Sequence, residues 1–288
     1  MTGAQPVDLA TAEIEARIAL AQRGADETYQ RLDTAVNRDS ALANLSSYWA
    51  TVSRWNLHLG RRGEGMAALQ EAATWTVEYA EFMARSRLKA AELRSALVAV
   101  LYAREQGLER RVLDLPVHTD DGSLTRLGQG YVEALRALVL GDDRAARAAA
   151  EAMEAIGDER AVKDRSYPRL GPTVRALLDS NAGALRAELD AVCAQHVAYG
   201  TKGHLRGSEA AMSCTPAVIL SLLARRRGVA ADVDDRFHRV RLRFLVTHLR
   251  EFEGRNVYRE RFEIAADIAP VSVLIGDDIL GPPNETAV

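Results

Sequence analysis

Apolar positions along this chain recur at spacings of three and four, and the recurrence stops at small or turn-forming residues before it resumes. From Asp39 to Leu59 they fall at Leu42, Leu45, Trp49, Val52 and Leu59, with Asn56 in the remaining slot, a spacing that gathers them on one helical face. The spacing repeats over about 64–84 through Met66, Leu69, Ala73, Ala80 and Met83. Trp49, Trp55 and Trp75 all lie in this hairpin, which predicts a bulky aromatic part of the core. Two short helices over 8–22 and 25–37 are expected to precede it, and a helix near 88–106 to follow. The stretch from Gly107 to Gly122, with Pro116 and Asp120-Asp121-Gly122, breaks the periodicity and predicts a long connection inside one continuous stack.

The second half repeats the design. Leu124, Leu127, Tyr131, Leu135 and Leu138 line a helix that Gly141 stops, and Asp142 suits the cap of the next. The inner face of that next helix reads as Ala145, Ala149, Ala152, Met153 and Ile156, small enough for close helix approach. A polar loop over Lys163–Pro172 leads to helices at about 172–179 and 183–199. Thr215-Pro216 reads as cap and first turn of a helix buried through Val218, Ile219, Leu222 and Leu223. Arg225, Arg226 and Arg227 then face the negative helix end, and Gly228 closes it. Over 235–253 two periods compete. Val240, Leu242, Phe244 and Val246 alternate as in a strand, Phe237, Val240, Phe244 and His248 fit a helix, and the helical context favours the latter.

Leu59-Gly60, Leu140-Gly141-Asp142-Asp143, Asp179-Ser180-Asn181 and Arg227-Gly228 are the clearest punctuation points. Together they predict an all-α fold of stacked antiparallel helical hairpins, either a tetratricopeptide-like solenoid or an irregular helical bundle. One domain of ten or more helices over residues 1–288, stacked with a right-handed turn, is the expected organisation. The turns are unevenly spaced, so no fixed repeat period emerges.

Composition narrows the function classes. The chain is 48% hydrophobic and 27% charged with a net charge of −3, a balance that argues against a general nucleic-acid or membrane-surface binder. Lys occurs only at Lys89, Lys163 and Lys202, and the dominance of Arg and Ala points to a GC-rich bacterial genome. Two cysteines, Cys193 and Cys214, are too few for a disulfide framework, and Met1–Pro6 lacks the pattern of a signal peptide. A cytoplasmic protein is expected.

Phosphate-binding GxxxxGK loops, HExxH helices, CxxC pairs and GxSxG elbows are absent from the sequence. Gly128-Gln129-Gly130 supplies two glycines of a dinucleotide fingerprint, but Glu133 stands where the third belongs. Cys193 and His196 share a helical face, and imidazole can activate a thiol, with His204 as a third group. Leu185, Leu189 and Val192 lie on that face too, which favours a core role. Asp120-Asp121, Asp142-Asp143, Asp234-Asp235 and Asp277-Asp278 could hold Mg²⁺, yet Asp at turns and caps has a structural reason. No catalytic residue, metal or cofactor is therefore assigned. The Arg-rich stretch Arg225–Arg261, interleaved with Phe237, Phe244, Phe252 and Tyr258, reads chiefly as a solvated ion-pair face, then as a patch for an acidic protein, and least as a nucleic-acid surface.

The segment Leu185–Asp235 holds Gln195-His196-Val197-Ala198-Tyr199, a polar loop with Lys202, Arg206 and Glu209, then Thr215-Pro216 and the helix end Leu223-Ala224-Arg225-Arg226-Arg227-Gly228. In that order it resembles the C-terminal part of the immunity protein 49 family of bacterial polymorphic toxin systems. The resemblance implies an all-helical cytosolic protein that binds and neutralises a cognate toxin without catalysis. It singles out His196, Tyr199, Arg206 and Glu209, and with Arg226 and Arg227 these are the partner-binding candidates. The expected partner is a toxin or another protein, not a membrane or a nucleic acid. A tetratricopeptide-like adaptor with a peptide in its concave groove is the alternative, and a helical enzyme using Cys193, His196 and His204 or an Asp pair is the third reading.

Overall fold

Gly60, Gly141 and Gly228 take φ angles of +75°, +73° and +73°, and each follows the last turn of a helix where the punctuation predicts it. The computed structural model describes residues 7–8, 11–86, 88–116, 122–201, 203–205, 214–229, 242–252 and 255–264. Among them eleven α-helices run in the order α1 (Thr11–Gln30), α2 (Arg38–His58), α3 (Arg62–Ala84), α4 (Ala90–Ala103), α5 (Gln106–Leu113), α6 (Arg126–Leu140), α7 (Asp143–Glu154), α8 (Asp158–Lys163), α9 (Leu170–Leu178), α10 (Ala182–Thr201) and α11 (Thr215–Arg226). The packed body is all-α. Its short turns, such as Leu59–Arg61 and Gly141–Asp142, force successive helices antiparallel.

Packing follows chain order through α1–α2, α2–α3, α3–α4, α6–α7, α7–α9 and α9–α10. A solenoid would keep each unit against its neighbours alone. Here α11 returns to pack on α4 as well as on α9 and α10, so this part is an irregular bundle. The main core runs through Leu97, Leu101, Leu135, Met153, Leu177, Leu189, Ile219 and Leu220. A smaller one gathers Ile14, Ile18, Ala21, Val52, Ala68 and the fully buried Trp55 between α1, α2 and α3.

Several expectations are corrected. The opening pair of helices is one helix, α1, followed by a single 3-10 turn, Leu32–Thr34. Gly24 does not break it. A Cβ there would come within 2.8 Å of the Tyr48 ring, so glycine at this position admits the aromatic side chain. The stretch 107–122 holds α5, whose Val112 is fully buried and whose Glu109 is 6% exposed; eight residues between turn signals hid it. On α7 the buried face is Ala146, Ala149, Ala150 and Met153, whereas Ala145 and Ala152 are exposed. In a run of alanines hydrophobicity cannot set the helical phase. Thr215 is the first helical residue rather than the cap, a position that falls to Cys214. After α9 it is Ser180 that takes the left-handed conformation, and Asn181 Oδ1 accepts from Ala184 N.

The helix expected over 235–253 is also overturned. Residues 235–241 and 253 lie outside the described residues, and Leu242–Phe252 is strand β2, antiparallel to β3 (Arg255–Ile264) and to the two-residue β1 (Val7–Asp8). The alternation Leu242, Phe244, Val246 was the true signal, and the partner strand had no counterpart in the helical pattern. Register sets Arg243 opposite Glu263.

The predicted cap at Asp142 is present: its Oδ1 accepts from Ala145 N at 2.9 Å. Asp142→Ala should cost about 1 kcal/mol in urea unfolding, against a change near zero for an exposed substitution without a cap.

Candidate functional site

Four helices and one turn surround a cavity of about 230 Å³. α4 contributes Arg94 and Val98, the start of α6 Leu127, Gly128 and Tyr131, the turn before α9 Arg165, Ser166 and Tyr167, and α11 opens onto it with Thr215 and Pro216. Leu170 of α9 completes the wall. The α6 end is fixed because Thr125 Oγ1 accepts from Gly128 N at 3.1 Å and is hydrogen-bonded to Ser166 Oγ at 3.3 Å. Arg165 takes a left-handed φ of +57° as its turn leaves α8, a conformation that costs a side-chain-bearing residue about 1 kcal/mol or more.

Among the described residues, two positive charges and no carboxylate line this cavity. Burial pushes the Arg94 guanidinium below its ordinary pKa, and among the described residues no ion pair compensates it. Tyr131 is 6% exposed, and its hydroxyl has no hydrogen-bond partner. Burial holds that hydroxyl protonated far above the usual phenol range, so it is a donor.

Two of the residues singled out by resemblance, His196 and Tyr199, stand behind this wall rather than on the surface. His196 is 2% and Tyr199 6% exposed. The Tyr167 hydroxyl and His196 Nδ1 are hydrogen-bonded at 2.7 Å, and the Tyr199 hydroxyl donates to the Ser166 carbonyl at 2.5 Å. Tyr199 also meets the Tyr167 ring edge-on, with centroids 5.4 Å apart. Both residues thereby position Ser166 and Tyr167 at the cavity. Arg226 grips Glu109 with two hydrogen bonds of 2.9 and 2.6 Å. Arg227 pairs with Asp143 at 2.7 Å and donates to the Leu138 carbonyl. Arg206 and Glu209 lie outside the described residues.

Cys193 is buried beside Cys214. A hydrogen bond that it donates to that neighbour and then burial push the Cys193 thiol up, the opposite of the shift that activates a nucleophile. His204 stacks near Tyr199, and burial followed by Arg165 pushes its pKa down. Of the acidic pairs, Asp142 caps α7 and Asp143 holds Arg227, while Asp120-Asp121, Asp234-Asp235 and Asp277-Asp278 lie outside the described residues. No group of three His, Cys, Asp or Glu that could hold a metal ion occurs among the described residues. No helix there is long and apolar enough to cross a membrane.

A second feature lies on the opposite side of α6. Two open depressions of about 480 and about 910 Å³ meet at Glu133. Ala137, Leu140, Ala145, Ala148 and Ala149 line the first, and Gln129, Gly130, Ala152, Ala155 and Ile156 much of the second. Leu140 is 62% exposed at one end, and charges at Arg126, Arg136, Asp142 and Arg160 flank the trough. Neither feature was visible beforehand. Arg94 looks like any helical Arg, and two of the groove's alanines, Ala145 and Ala152, were expected on the inner face. No family model matches the chain, and no curated protein or solved structure matches it either.

Proposed function

We propose that this chain is an immunity-type protein that binds and neutralises a cognate bacterial toxin in the cytoplasm by protein–protein contact, without catalysis. The observation that carries this reading is the groove between α6 and α7. Its apolar floor lies on both sides of the exposed Glu133, Leu140 is left 62% in water, and further charges rim it. Apolar surface that can exclude water, bordered by polar groups, suits a docking patch. The two helices pack rigidly against the main core through Leu135, Leu138 and Met153, so a partner would meet a preformed surface. The likeness of Leu185–Asp235 to the immunity protein 49 family adds the kind of partner.

Co-expression with the toxin encoded beside this gene tests the reading. The wild-type chain should restore growth. Leu140→Arg combined with Ala148→Arg should abolish rescue while leaving the urea midpoint within the range of other surface changes, because both positions are exposed. Rescue by the double variant at full strength would remove the groove from the account.

The length of the trough, roughly 17 Å along each helix, also suits one bound helix and favours a peptide-binding adaptor as the second reading. An adaptor would bind the isolated peptide, whereas an immunity protein would require the folded toxin domain.

A further inference from the structure

We propose that the cavity between α4, α6, α9 and α11 binds a small organic carboxylate with an aromatic or branched apolar body. The site is separate from the α6–α7 groove, on the other side of α6, and does not depend on the toxin-binding reading. Arg94 lines this cavity, and among the described residues it has no ion-pair partner and the cavity has no acidic side chain. A planar guanidinium matches a carboxylate with two parallel hydrogen bonds. Beside it, Tyr131 adds its ring to the wall while its hydroxyl is closed off from solvent. Arg94 is partly buried, and a guanidinium without an ion-pair partner at an apolar wall favours an anionic group.

The rest of the wall decides the body of the ligand. Val98, Leu127, Leu170 and Pro216 present no donor or acceptor side chain, so a bare inorganic anion would leave most of the cavity unfilled. The volume of about 230 Å³ exceeds the roughly 150 Å³ of a cavity known to take benzene. A single ring or branched chain plus its carboxylate therefore fits. Arg165, exposed at the turn before α9, adds a second positive charge at the rim and favours entry of an anion. His196 and Tyr199 hold Tyr167 and the Ser166 carbonyl in place through hydrogen bonds of 2.7 and 2.5 Å, which keeps the cavity open in the absence of ligand.

Calorimetric titration of the full chain with benzoate, phenylacetate and 3-phenylpropanoate tests this, with benzyl alcohol and inorganic phosphate as comparisons. At least one carboxylate should bind, with benzyl alcohol and phosphate each weaker by about tenfold or more. Arg94→Met should weaken that carboxylate by about tenfold or more. Arg94→Met should also melt no lower than the wild type, because the charge it removes has no ion-pair partner among the described residues, so loss of binding will not reflect loss of fold. The proposal is overturned if none of the three carboxylates binds, if benzyl alcohol or phosphate binds as well as they do, or if Arg94→Met leaves their affinity or melts below the wild type.

Discussion

Arg226→Ala should lower the unfolding free energy by about 2–3 kcal/mol, the low part of the range for breaking a buried ion pair because the Arg side chain keeps contact with water. Its guanidinium makes two hydrogen bonds, of 2.9 and 2.6 Å, to a Glu109 side chain that is 7% exposed. Removing the Arg strands that carboxylate between α5 and α11. A double change, Arg226→Met with Glu109→Leu, takes away both charges and should unfold close to the wild type in urea. The comparison separates two roles for a residue first singled out as a partner contact. A residue that served only a partner would leave the urea midpoint unchanged when truncated.

Trp55→Ala should be more damaging still, at about 3–5 kcal/mol for a large aromatic side chain removed from a closed core. Trp55 is 0% exposed and is packed by Ile14, Ile18, Ala21, Val52 and Ala68, so α1, α2 and α3 all lose contacts together. Arg17 also lies 5.8 Å from the ring centroid, a cation–π contact the substitution would remove. Trp55→Phe keeps much of the volume and should cost clearly less. Urea unfolding followed by circular dichroism checks both, and equal losses for Phe and Ala would mean the site relaxes around the void.

Helix ends were the most legible part of this fold, because local chemistry determines them. Gly141 takes its left-handed turn and Asp142 its cap using residues within one helical turn. The hairpin of Trp49, Trp55 and Trp75 was likewise readable from spacing, with Trp55 the one completely enclosed. Where two periods competed, as at Leu242–Phe252, the helical context misled, since the deciding partner strand comes after it in the chain. On α7 Ala149 and Met153 are buried as expected, but Ala145 and Ala152 are not, since any phase of a run of alanines looks equally apolar. Sites made by distant segments left no trace. Arg226 and Glu109 are 117 residues apart, and the carboxylate cavity draws on α4, α6, α9, α11 and an intervening turn. His196 and Tyr199 were found by resemblance, but only the fold shows that they brace the Ser166–Tyr167 wall.

Titration of the purified chain with the purified domain of a cognate toxin, which the proposed function expects to be encoded beside it, tests the central claim most directly. The account predicts a one-to-one complex in roughly the nanomolar range, as a neutralising inhibitor requires. Leu140→Arg with Ala148→Arg should weaken it by about a hundredfold or more, the effect of placing two charges on the apolar Leu140 end of the groove. No detectable complex, or one that the double variant forms as tightly as the wild type, would contradict it.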